Sequence, residues 1–144
     1  MAMWLKLVGA VGNPMPDPWL ENRKDLEDEV GFNKRASVEI ADELVMYAIP
    51  QRRIIGIAVV LSHPIMGAKE GEERWPWRSK IRWKIAIGDY DRCPTLEDIN
   101  VPGSRDLRRS VQRQSHIGLK WEELQRARNA LEAAFDPALG DRRG

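Results

Sequence analysis

The sequence has one cysteine, two histidines and no long apolar run among its 144 residues. Because Cys93 is the sole thiol, neither an intramolecular disulfide nor a metal cluster held by several thiolates can form. The longest apolar stretch, 54–61, is far shorter than the roughly 20 residues needed to cross a bilayer. The first residues also lack the basic segment and apolar core of a secretion signal, so we expect a cytoplasmic protein without membrane contact.

Catalytic and cofactor motifs are also scarce. The chain contains no glycine-rich dinucleotide fingerprint, no phosphate-binding loop and no Gly-x-Ser-x-Gly nucleophile motif. His63 and His116 are not arranged as a His-Glu-x-x-His metal pair, and we therefore expect neither a metal nor a cofactor. Cys93 precedes Pro94 in a polar stretch without a helix amino terminus to activate it, so we interpret it as an incidental small residue. These absences favour a non-catalytic protein.

Charge is nearly balanced, with 23 basic and 22 acidic residues. A protein that binds nucleic acid chiefly through phosphates usually carries a basic surplus, so any such contact here must come from a local patch or a pocket. Basic residues cluster in two places, at Arg74, Arg78, Lys80, Arg82 and Lys84, and again at Arg105, Arg108, Arg109 and Arg113. Either cluster suits a positive rim that holds phosphates, and the first also suits a charged strand edge that resists aggregation.

Hydrophobic patterning predicts both strands and helices. We expect strands at 4–11, 44–49, 54–61 and 80–88. The two middle strands form a hairpin. In the last strand the apolar side chains project on one face and the basic side chains on the other: Ile81, Trp83, Ile85 and Ile87 against Lys80, Arg82 and Lys84. We expect helices at 19–29, after the start signal Asp17-Pro18, and at 121–135, whereas 89–113 is polar and loop-rich.

These elements predict one α+β domain over 1–144, with an ordered core at 3–136 and a frayed tail at 137–144. The strands are short and mostly antiparallel. Such strands curve into a small closed or nearly closed barrel, which the helices flank.

Six tryptophans are many for so short a chain. The alternation places Trp83 in the core, and Trp121 is expected to staple the last helix to the barrel. Trp75 and Trp77 differ because they flank Pro76 and precede Arg78. Two rings fixed around a rigid proline form a wall that can stack an unpaired base, an interaction worth about 1–3 kcal/mol per base. The alternative is that these rings only cover the end of the barrel.

Taken in order, these segments resemble the EVE domain of the PUA-like superfamily. The resemblance rests on Trp4-Leu5-Lys6-Leu7, Trp19, Gly31-Phe32-Asn33, Ala41-Asp42-Glu43-Leu44-Val45-Met46-Tyr47, Ile54-Ile55-Gly56-Ile57-Ala58-Val59, Trp75-Pro76-Trp77-Arg78-Ser79-Lys80-Ile81 and Arg113-Gln114-Ser115-His116-Ile117. It covers the chain from Trp4 to Ala134. One departure is Ala41, where the family usually has glycine, and a second is the longer proline-rich segment 12–18. The implied fold is a PUA-like pseudo-barrel, related in plan to YTH and ASCH domains.

The resemblance implies a non-catalytic reader of a modified DNA or RNA base that is flipped out or single-stranded. Trp19, Phe32 and either Trp75 or Trp77 would then be stacking walls. Asn33 and Ser115 would read the edge of the base, and Tyr47 would line the floor. Arg78 and Arg113 would contact phosphates, and His116 would line or support the pocket.

Two other functions stay open at this point. An RNA-processing hydrolase, or another small enzyme on a PUA-like barrel, would need an acid and a base in the pocket, such as His116 with Asp106 or Lys80. A peptide-binding module would use the pocket as an apolar groove, which polar and basic walls would disfavour.

Overall fold

The apolar and alternating segments form a curled sheet in the computed structural model, which describes residues 1–9, 14–21, 25–67, 75–100 and 106–144, and the backbone alone at 112 and 113. The strands are β1 (Met3–Val8), β2 (Glu27–Phe32), β3 (Glu43–Ala48), β4 (Arg53–Val60), β5 (Ile65–Met66), β6 (Trp77–Ala86), β7 (His116–Gly118) and β8 (Arg142–Arg143). Their order is β2-β6-β4-β3-β1-β7, and β5 and β8 also pair with β6. Of the pairs formed by these strands, β1–β3 is parallel and the rest are antiparallel.

Within the described ranges, three helices flank the sheet: α1 (Leu96–Ile99), α2 (Leu107–Gln114) and α3 (Trp121–Ala134). Asp106 caps α2 by accepting a hydrogen bond from the Arg109 backbone N–H, and Ser115 ends the helix in the left-handed conformation. Helix α3 confirms the predicted terminal helix and packs on α1 and β4. No helix in the described ranges is both long enough and apolar enough to cross a membrane. The result is the predicted α+β architecture, a mostly antiparallel half-barrel with flanking helices.

The core lies inside the curl of the sheet. Every residue of β3 is buried, and β4 is almost entirely buried. Strand β6 alternates as predicted, with Ile81, Trp83 and Ile85 inside and its basic residues exposed at Lys80, Arg82 and Lys84. Apolar runs therefore identified β3 and β4 correctly, and period-two patterning identified β6.

The predicted helix at 19–29 is wrong. Its last three residues, 27–29, begin strand β2, which pairs with β6 along its whole length, and its residues 22–24 lie outside the described ranges. Trp19 lies in the core, where its indole N–H donates to the Ile87 carbonyl at 2.9 Å and its ring packs 4.9 Å from that of Trp83. The apolar positions Trp19, Leu26 and Val30 fit one helical face by spacing, but they lie in a turn and a strand instead.

The predicted frayed tail is also wrong. Residues 137–139 form a 3-10 turn, and β8 adds Arg142 and Arg143 to the edge of β6. Buried Asp141 anchors this segment through its bidentate pairing with Arg92. Trp121 does not staple α3 to the sheet either, because 57% of its surface is exposed at the start of the helix.

Candidate functional site

A cavity of about 320 Å³ lies beside β6, where Arg78, Ile81 and Trp83 line it. Strands β1 and β2 both line it, although they lie near opposite ends of the sheet order. The curl of the sheet therefore brings its two ends to either side of one pocket. The lining residues are Lys6, Leu7, Val8, Gly9, Pro14, Met15, Pro16, Asp28, Glu29, Val30, Gly31, Met46, Trp75, Arg78, Ile81 and Trp83.

Trp75 forms an aromatic wall of this pocket, and Gly31 allows it to do so. A Cβ atom at Gly31 would lie 2.4 Å from the Cβ of Trp75 and 2.5 Å from Nη1 of Arg78, closer than real atoms approach. Glycine at this position therefore permits Trp75 and Arg78 to pack directly on the backbone of β2. The aromatic wall depends on a missing side chain in the neighbouring strand.

Lys6 is the buried cation of the pocket, with 1% of its surface exposed. Its Nζ donates to the Leu7 carbonyl and lies 4.3 Å from the ring centroid of Trp75 and 5.1 Å from that of Phe32. Burying an ammonium group is costly unless other groups replace its water. Here the rings of Trp75 and Phe32 and the Leu7 carbonyl stabilise the ammonium group in place of water.

Acidic and basic groups face each other on the β2 side. Nε of Arg78 donates to Oε1 of Glu29 at 2.8 Å, and the indole N–H of Trp83 donates to Oδ2 of Asp28 at 3.3 Å. Together with Lys6, these side chains bring hydrogen-bond donors and carboxylate acceptors to a wall that is otherwise apolar. Such a pocket suits a flat ring with a polar edge.

Beside the pocket, a polar and aromatic cluster joins the end of β2 to β7. The Ser115 hydroxyl donates to Oδ1 of Asn33 at 3.1 Å, although the two residues are 82 positions apart, and lies 3.3 Å from Nδ1 of His116. The His116 ring meets Phe32 edge-on at 5.2 Å. Burial, followed by the charges of Lys6 and Lys34, lowers the pKa of His116 to about 4, so its imidazole is neutral near pH 7.

The structure separates the predicted site residues into groups. Trp75 and Arg78 line the pocket. The cluster beside it contains Phe32, Asn33, Ser115 and His116. Trp77 is not among the lining residues and lies opposite Phe32 in the β2–β6 pairing. Arg78, which the resemblance assigned to phosphate, is 9% exposed and paired with Glu29.

The remaining predicted residues lie elsewhere. Trp19 is a core residue, and its indole N–H donates to the backbone carbonyl of Ile87. Met46 lines the pocket, whereas Tyr47 follows it on β3 with 1% of its surface exposed, and burial raises the pKa of its hydroxyl. Successive strand residues point to opposite faces, so Met46 takes the position expected for Tyr47. The side chain of Arg113 and all of Arg74 and Arg105 lie outside the described residues.

Sequence reasoning missed several pocket residues. Asp28 and Glu29 were assigned to a helix, so the sequence did not predict their position beside Trp75. Lys6 was assigned to a strand without a role, since a lysine between apolar residues ordinarily marks a solvent-facing position. The only signal was its place in the most apolar segment of the amino-terminal region, where both faces of a strand are buried.

The two acid–base pairs considered from the sequence, His116 with Asp106 and His116 with Lys80, are not assembled. Asp106 caps the first turn of α2, whereas His116 follows its last turn, and eight helical residues span about 12 Å. Lys80 is exposed on the outer face of β6, whereas His116 is 9% exposed. Burial raises the pKa of the Cys93 thiol to about 12, so this cysteine stays protonated and unreactive.

Fold and pocket together define an α+β PUA-like pseudo-barrel with a small polar and aromatic cavity. No protein-family model and no curated protein matches the sequence. Among solved structures, a hypothetical protein from Leishmania major is similar at 12% identity, over 92% of this chain and 96% of that one, with a TM-score of 0.60. A protein from Agrobacterium tumefaciens is similar at 18% identity, over 90% and 93% of the two chains, with a TM-score of 0.60.

The human THYN1 protein, solved in complex with DNA that contains 5-methylcytosine, is similar at 12% identity. The likeness covers 94% of this chain and 99% of that one, with a TM-score of 0.56. At these identities the three structures establish the fold that the chain shares with them. Membership of the EVE family in particular stays a prediction.

Proposed function

We propose that this protein is a non-catalytic binding module that recognises a modified nucleobase of DNA or RNA, flipped out or single-stranded. The observation that carries the proposal is the pocket itself, in which Trp75 faces a wall of charged donors and acceptors. The fold adds support, since the similar human THYN1 protein was solved with DNA containing 5-methylcytosine.

The dimensions of the pocket favour a ligand of ring size. Its volume of about 320 Å³ lies at the small end of the range of roughly 300–1,000 Å³ typical of small-molecule sites. Trp75 offers a surface for stacking. Lys6 and Arg78 carry N–H groups, and Asp28 and Glu29 carry carboxylates, which are the groups that read the edge of a base.

The apolar part of the lining explains how a small modification would be read. Val30, Met46 and Ile81 lie in the same pocket as the charged groups. Burying one methyl group against such side chains is worth about 0.8 kcal/mol, or about fourfold in affinity. A methylated base is therefore expected to bind about fourfold more tightly than its unmodified form.

The charged lining also argues against a peptide groove. Lys6, Asp28, Glu29 and Arg78 all contribute to a small cavity, whereas peptide grooves are mainly apolar and extended. The separation of His116 from Asp106 and from Lys80 favours binding over hydrolysis by those pairs. Incubation with labelled RNA or DNA, with and without divalent cations, is expected to leave the polymer intact, and product formation would overturn the non-catalytic assignment.

Binding can be tested by titrating the protein with modified and unmodified nucleosides and short oligonucleotides. We expect Trp75→Ala to weaken binding of the modified base by about 1–3 kcal/mol, the worth of one stacked base. Trp121→Ala is the matched control, because Trp121 is exposed on α3 and lies outside the pocket. Equal affinity for modified and unmodified bases, together with no loss in Trp75→Ala, would refute the proposal.

A further inference from the structure

We infer that a second nucleotide-binding surface adjoins the pocket, formed by Lys34, Arg35, Trp77 and Met66. We call it the rim surface. It would bind the nucleotide next to the one held in the pocket, stacking its base and contacting its phosphate. This inference rests on the proposed function, since the pocket must hold the first base.

A row of side chains leads from the polar and aromatic cluster beside the pocket to the rim surface. His116 meets Phe32 edge-on at 5.2 Å, and Phe32 lies opposite Trp77 in the β2–β6 pairing. Trp77 in turn lies opposite Met66 in the β5–β6 pairing. The side chains of directly opposite residues project on the same face of a sheet, with their Cβ atoms about 4.5–5.5 Å apart. The row therefore runs continuously across β7, β2, β6 and β5.

Exposure increases along this row from Phe32 outward. Phe32 is fully buried and His116 is 9% exposed, whereas Trp77 is half-buried and 61% of Met66 is exposed. A half-buried indole is held firmly by the core and still presents ring surface to solvent. Such a ring next to a base-sized pocket offers a platform for the neighbouring base.

Two cations lie beside this platform. Lys34 and Arg35 are exposed in the turn that follows β2, directly after Asn33 of the pocket cluster. The Arg35 guanidinium lies 6.0 Å from the ring centroid of Trp77, and the charge of Lys34 acts on His116. Aromatic rings interleaved with exposed cations are the combination that single-stranded nucleic acids bind. Arg78 differs, because it is buried against Glu29.

The test compares ligands of increasing length. The wild-type protein is titrated with a modified nucleoside and with single-stranded oligonucleotides that carry the same base at their centre. We expect Trp77→Ala to lower oligonucleotide affinity by at least about fivefold, the lower limit for one stacked base. Nucleoside affinity is expected to stay within about twofold of wild type, because the lost stack lies outside the pocket.

Salt dependence tests the cations separately. If Lys34 and Arg35 each contact one phosphate, the double change Lys34→Ala with Arg35→Ala reduces the slope of log affinity against log salt by about 1.4 for a single strand. Arg126→Ala and Trp121→Ala are matched controls on α3, where both side chains are exposed, and they are expected to leave oligonucleotide binding unchanged. Trp77→Phe keeps a ring at the platform and serves if Trp77→Ala fails to fold.

The outcomes separate this inference from the proposed function. If the nucleoside binds and the wild type gains nothing from a longer strand, the rim surface is refuted and the pocket stands. The rim surface is also refuted if Trp77→Ala weakens nucleoside and oligonucleotide binding equally. If no modified nucleoside binds, the proposed function fails and the rim surface fails with it. If a peptide binds at Trp77 and no oligonucleotide does, the surface serves a protein partner and the inference is wrong.

Discussion

Two buried charged groups, Asp141 beside the carboxyl end of β6 and Lys6 on β1, are held in different ways. Near Ala86, the carboxylate of Asp141 accepts from Arg92 at 2.7 and 2.8 Å, from the Gly88 N–H at 3.0 Å and from the Asp136 N–H at 2.9 Å. Beside Trp75, the ammonium of Lys6 donates to the Leu7 carbonyl and lies against ring faces that border a cavity.

The surroundings of the two buried charges indicate different roles. The donors to Asp141 belong to neighbouring turns and to the chain end, so its network closes around the carboxyl-terminal segment and fixes it to the sheet. Lys6 lies in a wall that borders open volume. A closed network stabilises the fold, whereas a charge at a cavity prepares a surface for a ligand.

The largest expected effect comes from breaking the closed network. Asp141→Ala leaves Arg92 without its main partner and removes the acceptor for two backbone N–H groups, so we expect a loss of about 3–5 kcal/mol in the free energy of unfolding. Urea denaturation measures it. Asp91→Ala, at an exposed carboxylate in the adjacent turn, is the control and is expected to change stability by less than about 0.5 kcal/mol. Similar losses in both variants would contradict the anchoring role.

Acid is expected to weaken the pocket end before the Asp141 end. The folded pKa of His116 is about 4, against 6.5 for the ordinary group, so the unfolded chain binds more protons between these values. Stability therefore falls as the pH drops from about 6.5 to 4, by about 3 kcal/mol in total. Hydrogen bonds lower the pKa of Asp42 and Asp141 from 3.8, so their contributions disappear only at still lower pH.

Denaturation at pH 7, 5.5 and 4 measures this dependence, and His116→Phe is expected to flatten it. An NMR titration of the imidazole gives the pKa directly. A pKa for His116 near the ordinary value would show that the ring is not buried beside Lys6.

A smaller effect is expected at Gly31. The Cβ of Gly31→Ala would lie 2.4 Å from the Cβ of Trp75 and 2.5 Å from Nη1 of Arg78, and such crowding typically costs about 1–3 kcal/mol of stability. Because Trp75 must move, binding of the modified base should weaken as well. Gly118→Ala is the matched control in β7, since its Cβ would meet nothing within 4 Å. Equal stability of the two variants would mean that Trp75 does not pack on β2.

The smallest expected effect has the opposite sign. Ala41 has a φ of 76°, in the left-handed region that disfavours side chains, and it precedes Asp42, which holds the turn through Ala2 and Glu39. Ala41→Gly removes this strain at some cost in unfolded-state entropy, and we expect a gain of about 0.5–1 kcal/mol. Ala133→Gly in α3 is the contrast, with an expected loss of about 1 kcal/mol. Destabilisation by both changes would refute the strained turn.

The central strands were predictable because period-two patterning is local, as the alternation of Ile81 and Trp83 with Lys80 and Arg82 shows. Strand β2 was not predictable, because its few apolar residues fit one face of a helix as well as one face of a strand. Its pairing with β6, which the local sequence does not show, makes it a strand. Asp141 was predicted to belong to a loose tail, because the sequence does not show that it pairs with Arg92, 49 residues earlier.

The candidate site was predicted in part. Trp75 was predicted because it and Trp77 flank Pro76. The resemblance pointed to Asn33 and Ser115, and the fold joins these two side chains by a hydrogen bond. Lys6 was not found, because its role depends on rings from two other segments. A buried cation can be identified from sequence only when its partners are near in the chain.

The position of the pocket has a consequence for strand addition. Strand β2 ends the order of the described strands, and an edge strand is where another chain can add itself to a sheet. Here residues 28–31 of that strand line the cavity, and Trp75 packs over Gly31. An occupant of the pocket would therefore lie against the strand at which another copy of the chain could add itself.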